Sequence, residues 1–368
     1  MLYLEAPAGV GFSYSGNASF YKLSNDSITA KDNLAFLQRW LLKFPEYNTR
    51  DLFITGESYA GHYVPQLAQL ILESRSNLSF KGIAIGNPLL EFDTDFNGQG
   101  DYYWSHGLIS DQTYHLVNTV CNFSQINRES LSPSGDYSKA CGIVVAQSDA
   151  EWPIQNFDGY DVTSDVCLSD GESQFGSREQ HSLLASRFHP VSSLKYQQSG
   201  VRKQEAGVES IDLCVQDQTE KYLNRKDVQE VMHAKLVGVN KTWTFCTSNI
   251  NYDFYNLEIP TIGVVGSLVE SGIRVLVYSG DQDSVLPFIG TRILVNRLAT
   301  EMGLNTTIPY KAWFDYDKQV GGWTQVYGEN NNLSFATIRG ASHLAPASSP
   351  KRSLALFAAF VAGKPLAA

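Results

Sequence analysis

The stretch Asp51–Pro65, DLFITGESYAGHYVP, limits the fold more than any other part of the chain. Leu52, Phe53, Ile54 and Thr55 form a short apolar and β-branched run closed by Gly56, the pattern of a buried parallel strand. From Tyr59 to Ser74 the apolar residues Val64, Leu67, Leu70, Ile71 and Leu72 recur at helical spacing. The hydrophobic period therefore changes within Gly56-Glu57-Ser58-Tyr59-Ala60. A serine on such a strand-to-helix turn, flanked by small residues, has its hydroxyl raised above the sheet edge, and Ser58 is the candidate nucleophile. Ala60 stands at the last small position of the usual G-x-S-x-G pattern, with Gly61 just beyond, and alanine still lets strand and helix approach closely. A Gly-x-Ser before a helix also serves as a plain N-cap. The flanking strand and helix favour the nucleophile.

The neighbouring segments extend this unit into a sheet. Ser27–Tyr47 reads as an amphipathic helix with Ala30, Leu34, Leu37 and Leu41 on one side, and Phe80–Gly86 as a strand ended by Asn87-Pro88. Strand, helix and strand in that order make a βαβ unit, so the fold class is α/β with a parallel sheet. Strand signals resume at Gly272–Tyr278, Thr307–Trp313 and Leu333–Ile338, and a last helix covers Pro350–Val361. Between about 91 and 260 the strand runs vanish while aromatic, Ser, Asp and Asn residues multiply, which reads as a loop-rich cap stapled by cysteines. The organisation expected is a sheet core formed by 1–90 and 261–368, with a cap, 91–260, inserted between its two parts.

Composition narrows the function classes. With 43% hydrophobic and 18% charged residues, 368 residues bury a large core, and a net charge of −10 argues against nucleic acid or an anionic membrane as partner. No apolar run is long enough to span a bilayer, and no His/Cys cluster has metal-ligand spacing, so no metal or cofactor is expected. Five cysteines, Cys121, Cys141, Cys167, Cys214 and Cys246, cannot all pair within the chain. Sequons at Asn17, Asn25, Asn77, Asn122, Asn240, Asn305 and Asn332 exceed the roughly three expected from ordinary Ser and Thr frequencies and point to the secretory pathway. The chain opens directly on LYLEAPAGVGFSYS, read as a buried strand and a Gly/Pro turn with no leader before it. That beginning predicts an N-terminal truncation, with upstream strands missing.

Two further loops carry chemistry. Gly280-Asp281-Gln282-Asp283 follows the 272–278 strand, and an acid there shares the sheet edge with the elbow serine; spacing alone does not choose between Asp281 and Asp283. His343, in Gly340-Ala341-Ser342-His343 after the last strand, completes the chain order Ser, Asp, His of the α/β-hydrolase triad. His62 lies on the helix leaving the elbow and is read as structural.

Together MLYLEAPAGVGFSYS, FITGESYAGHYVPQLA, GIAIGNP, VLVYSGDQDSVLP, GGWTQVYG and IRGASHLAP resemble the serine carboxypeptidase family, most closely its plant serine carboxypeptidase-like members. The resemblance implies an α/β-hydrolase fold with a largely helical, disulfide-stapled cap. It makes Ser58 the nucleophile, Asp283 the orienting acid, His343 the general base, Tyr59 an oxyanion-hole donor through its N–H, and Glu57 the group that holds a peptide's terminal carboxylate. A carboxyl facing another carboxylate is stable only if the pair shares a proton, so activity favoured by acid is expected, in a vacuolar or extracellular setting. The substrate would be peptide or protein C-termini; oligomeric state, a homodimer included, and cleavage into two chains are left open.

This chain departs from the family pattern. The Gly-Gly-Pro-Gly-Cys segment that supplies the second oxyanion donor, an asparagine for the substrate carboxylate and a cysteine is absent from it. By the same resemblance Cys121 pairs with Cys141 and Cys167 with Cys214, leaving Cys246 unpaired. Loss of one oxyanion donor costs about 10²- to 10³-fold in turnover, so this chain alone is expected to be weak or inactive. Leu344 stands where relatives more often carry Glu or Met. Two alternatives remain beside the peptidase: an acyltransferase using sugar esters, whose members usually show Gly-Asp-Ser at the elbow where this chain has Glu57, and a non-catalytic binding or regulatory homologue.

Overall fold

The structure is a computed structural model that describes residues 1–74, 78–132, 134–151, 157–167, 214–234, 242–247, 250–330 and 332–366. In chain order the elements are α1 (Asp26–Lys43), β1 (Asp51–Glu57), α2 (Ala60–Glu73), β2 (Ser79–Gly86), α3 (Phe92–Ser105), α4 (Asp111–Thr119), α5 (Phe123–Leu131), α6 (Lys139–Glu151), α7 (Val215–Leu223), α8 (Lys226–Val231), α9 (Ile262–Glu270), β3 (Arg274–Gly280), α10 (Phe288–Glu301), β4 (Thr306–Phe314), β5 (Val320–Tyr327), β6 (Leu333–Ile338), α11 (Ala345–Ser348) and α12 (Pro350–Ala362). The strands form one sheet in the order β1-β2-β3-β6-β5-β4. β1, β2, β3 and β6 run parallel, while β5 pairs antiparallel with both β6 and β4.

The alternation of side chains along these strands divides the core into two layers. Ile83 and Ile85 of β2 and Val275 and Val277 of β3 join Val64 and Ala68 of α2, Leu268 of α9 and Leu294 and Val295 of α10 on one face. Ala84, Leu276, Ala336 and Ile338 meet Leu356 and Phe360 of α12 on the other. α2 carries Pro65 in its interior, which removes the hydrogen bond that the Gly61 carbonyl would accept. The Thr261 hydroxyl donates to that carbonyl instead, at 2.8 Å, so the helix continues without a stranded acceptor.

Three segments run against the sequence reading. Residues 1–6 form no strand, and Met1 and Tyr3 are more than four-fifths exposed, so the buried first strand is corrected. A strand exists only through its ladder, and none of the six described strands pairs with this segment. β1 is correspondingly half-buried, because it has β2 on one side only. β5 and α10, in turn, were not evident in the sequence because glycines interrupt them. In β5, Gly321 and Gly322 make room for the buried Trp313 ring and the Thr337 carbonyl, where a Cβ would overlap both, and the indole Nε1 donates to Thr337 O at 3.0 Å. In α10, a Cβ on Gly290 would lie 2.8 Å from Thr94 O, which shows how closely α3 packs on α10.

The chain forms two compact units, one of Met1–Thr29, Pro153–Asp158 and Thr163–Asp253, the other of Ala30–Trp152, Gly159–Val162 and Phe254–Ala368. The sheet lies in the second. This division runs across the sequence boundaries at 90 and 260, since α3 to α6 group with the sheet. Disulfides join Cys121 to Cys141 in the sheet unit and Cys167 to Cys214 in the other, and Cys246 is unpaired and half-buried.

Candidate active site

The elbow is built by close approach. Ser58 has φ 63°, a left-handed conformation that costs energy for any residue with a Cβ. Three backbone bonds hold it there: Ser58 N donates to Gly86 O at 2.9 Å, while Ser58 O accepts from Gly61 N at 2.9 Å and Leu89 N at 3.1 Å. A Cβ on Gly56 would sit 2.5 Å from the Ala60 Cβ, and one on Gly61 would overlap the Leu89 carbonyl. Gly56 therefore supplies the gap that lets alanine stand at the fifth place of the elbow. His62 is fully buried, its ring stacked 4.7 Å from that of Tyr59, which fits a structural part.

The acid and the histidine meet. Asp283, after β3, is completely buried and its Oδ2 lies 2.6 Å from His343 Nδ1, on the loop after β6. The same Oδ2 accepts from Asn87 Nδ2 at 2.9 Å, and Oδ1 accepts from Val285 N at 2.9 Å. Three donors on one carboxylate offset the cost of taking it out of water. The alternative acid is engaged elsewhere: Asp281 Oδ1 accepts from Gly340 N at 2.6 Å and ties the acid loop to the histidine loop. Since β1, β2, β3 and β6 are parallel neighbours, Ser58, Asp283 and His343 all leave the sheet from its carboxyl edge.

Glu57 ends β1 beside these groups. Burial pushes its carboxyl up to about 7, the His343 imidazole and a hydrogen bond from Tyr278 pull it down, and Asp283 adds to the rise. A glutamate that holds a proton near neutrality is a hydrogen-bond donor as well as an acceptor.

The family model for serine carboxypeptidases matches residues 1–363. The chain belongs to the serine carboxypeptidase family. Two similar relatives are serine carboxypeptidase-like 45 and 46 of Arabidopsis thaliana, each 53% identical over all of this chain and 73% of the relative. Among solved structures it is similar to Kex1(Δ)p, a prohormone-processing carboxypeptidase from Saccharomyces cerevisiae, with a TM-score of 0.64 and 17% identity over 97% of this chain and 73% of that one. That likeness is one of fold, the α/β hydrolase. As a serine carboxypeptidase the protein is a peptide-bond hydrolase.

Several residues that shape the site of this carboxypeptidase escaped the sequence reading. Asn87, fully buried at φ 40°, accepts from Gly280 N at 2.9 Å, donates to Gly280 O at 3.3 Å, and reaches Asp283 with the same amide. Its place beside Pro88 after a strand read as turn chemistry, which it also is. α3 braces the acid loop: Gln99 Nε2 donates to Val285 O at 2.8 Å and Tyr102 Oη to Asp281 O at 2.9 Å. A short strap, Gly159–Val162, joins both loops. Gly159 O accepts from Ser284 N at 3.0 Å, Val162 N donates to Gln282 O at 3.0 Å, and Tyr160 O accepts from His343 N at 2.8 Å. Nothing in the local sequence of the strap marks it, because its role lies in backbone bonds.

Asn87→Gly tests the amide without disturbing the backbone, since glycine tolerates the positive φ. Removing a donor to a buried carboxylate is expected to lower stability by about 1.5–3 kcal/mol, read from the urea midpoint at unchanged m. A midpoint equal to that of the parent would mean that the amide is not a support of Asp283.

The sequons differ in setting. Asn17 and Asn305 are exposed; Asn122 is exposed and its Oδ1 caps α5 through Gln125 N. Asn25 Oδ1 accepts from Ile28 N at the start of α1, and Asn332 Nδ2 donates to Val269 O at 3.0 Å. Asn77 and Asn240 lie outside the described residues.

Proposed function

We propose that this carboxypeptidase removes C-terminal residues from peptides through an acyl-enzyme on Ser58, with His343 as general base, Asp283 orienting it and Glu57 holding the substrate's terminal carboxylate. The observation that carries the reading is the 2.6 Å bond between His343 Nδ1 and the buried Asp283, on the sheet edge where the elbow ends. That bond keeps the imidazole's other nitrogen available as the base. His343 takes the Ser58 proton as Oγ attacks the last peptide carbonyl, the Tyr59 N–H donates to the oxyanion, and His343 returns the proton to the leaving amino group. Water then repeats the sequence on the ester. Side chains and backbone groups of these residues carry the steps, with a peptide C-terminus as partner.

Glu57 gives the reading its substrate end and its pH dependence. Below about 7 its carboxyl is protonated and donates to the substrate carboxylate; as pH rises through that value it ionises and the two carboxylates repel. The expected result is a kcat/KM for a free-acid peptide that falls about tenfold per pH unit above 7. A p-nitrophenyl ester, which has no free carboxylate, should lack this limb, and so should Glu57→Gln with the peptide. An acidic compartment of the secretory pathway such as the vacuole suits that dependence, and the two disulfides fit the pathway.

The acyltransferase alternative is separated from the peptidase by substrate. Cleavage of a free-acid peptide, with its C-terminal amide and an acyl-glucose left untouched, supports the proposal. Acyl transfer from the glucose ester with an intact peptide would replace it.

A further inference from the structure

Glu57 on β1 stands opposite Gly86 on β2, and Gly86 opposite Tyr278 on β3, one row across the carboxyl end of the parallel strands. Adjacent strands lie about 4.8 Å apart, so a side chain from β3 reaches β1 only by passing over β2. Gly86 leaves that path open. A Cβ there would lie 2.6 Å from the Tyr278 Oη and overlap the end of the ring. With none, the phenol crosses β2 and its hydroxyl donates to Glu57 Oε1 at 3.4 Å.

We propose that Tyr278 is a positioning residue for substrate recognition, setting which oxygen of Glu57 carries the proton and turning it toward the peptide's terminal carboxylate. The inference rests on the assignment of Glu57 to that carboxylate. The phenol is a donor throughout the working range, since burial and the neighbouring Glu57 hold its ionisation well above the usual tyrosine range. Its proton occupies Oε1, so Oε1 is the acceptor oxygen of the carboxylic acid and Oε2 carries the hydrogen. A protonated carboxyl free to rotate would present either oxygen, and half of those arrangements would set lone pairs against the substrate. The groups facing Glu57 are Tyr278 from β3, Asp283 from the loop after β3 and His343 from the loop after β6. Of these, Tyr278 is the only one outside the triad, and therefore the one through which substrate binding can be adjusted apart from the chemistry on Ser58.

The test compares kcat/KM against pH for a free-acid peptide and a p-nitrophenyl ester in the parent, Tyr278→Phe and Glu57→Gln. Losing a hydrogen bond that orders the carboxyl facing the substrate's charged end is expected to raise KM for the free acid about tenfold below pH 6, with kcat little changed. Its alkaline limb should move to higher pH, because a stabiliser of ionised Glu57 is gone, while the ester's profile keeps its shape. Gly86→Ala, which retains the phenol and displaces it, should give the same KM change and covers the case in which Tyr278→Phe does not fold. If Glu57→Gln abolishes the limb and neither Tyr278→Phe nor Gly86→Ala alters KM or the limb, the role of Tyr278 is overturned and that of Glu57 stands. If Glu57→Gln leaves the free-acid profile unchanged, both assignments fall.

Discussion

Ser58→Ala is expected to lower kcat for a free-acid peptide by about 10⁶-fold while leaving KM within a few-fold. The hydroxyl is the atom that forms the acyl-enzyme, and the rest of the site, left intact, still binds the C-terminus. The substitution keeps the Cβ and hence the φ of 63°, and the three backbone bonds at the elbow do not involve the side chain. Folding should therefore be preserved, which the urea midpoint checks. A fluorophosphonate probe should label the parent once and the variant not at all. Undiminished turnover or labelling in the variant would move the nucleophile elsewhere and remove the basis of the mechanism.

Asp283→Asn is expected to cost about 10⁴-fold in kcat. An asparagine there has one acceptor oxygen for sites that now receive three donors: His343 Nδ1 and Asn87 Nδ2 on Oδ2, and Val285 N on Oδ1. If its oxygen takes the place of Oδ2, the amide nitrogen faces Val285 N, donor against donor, and the imidazolium formed in the reaction loses its counter-charge. If it turns over, the NH₂ faces both His343 and Asn87 and forces the histidine into the tautomer that cannot act as base. Either orientation breaks a bond, so the loss should appear in kcat for the peptide and for the ester alike. That pattern separates it from Tyr278→Phe, which concerns the free acid. A variant that keeps most of its ester turnover would show that His343 takes its orientation from elsewhere, with the strap's bond to His343 N the first place to look.

What could be read from the sequence follows from how local each signal is. The elbow was legible because a change of hydrophobic period, two glycines and a serine fall within a few residues, and each has a separate steric reason confirmed by the packing of Gly56 and Gly61. The acid loop was legible as a place, while the choice of Asp283 over Asp281 depends on bonds to His343 and Gly340 that lie some sixty residues away. β5 and α10 stayed hidden because Gly321, Gly322 and Gly290 answer to partners distant in sequence, Trp313, Thr337 and Thr94, where a local reading takes glycine as punctuation. Residues 1–6 failed in the opposite sense. Their apolar run has strand character, but pattern states a preference and only a neighbouring ladder makes a strand.

The strap Gly159–Val162 has a consequence for anyone who would shorten this protein. The chain comes to it from residues 157–158 and leaves it through 163–167, all of which belong to the other compact unit, yet its peptide groups receive Ser284 N and His343 N and donate to Gln282 O. Excising the insertion to obtain a minimal sheet-only hydrolase would cut away the acceptors on which both reactive loops hang. A miniaturised enzyme would have to graft this tetrapeptide back as a keystone, and the insertion is to that extent inseparable from the machinery it was added to.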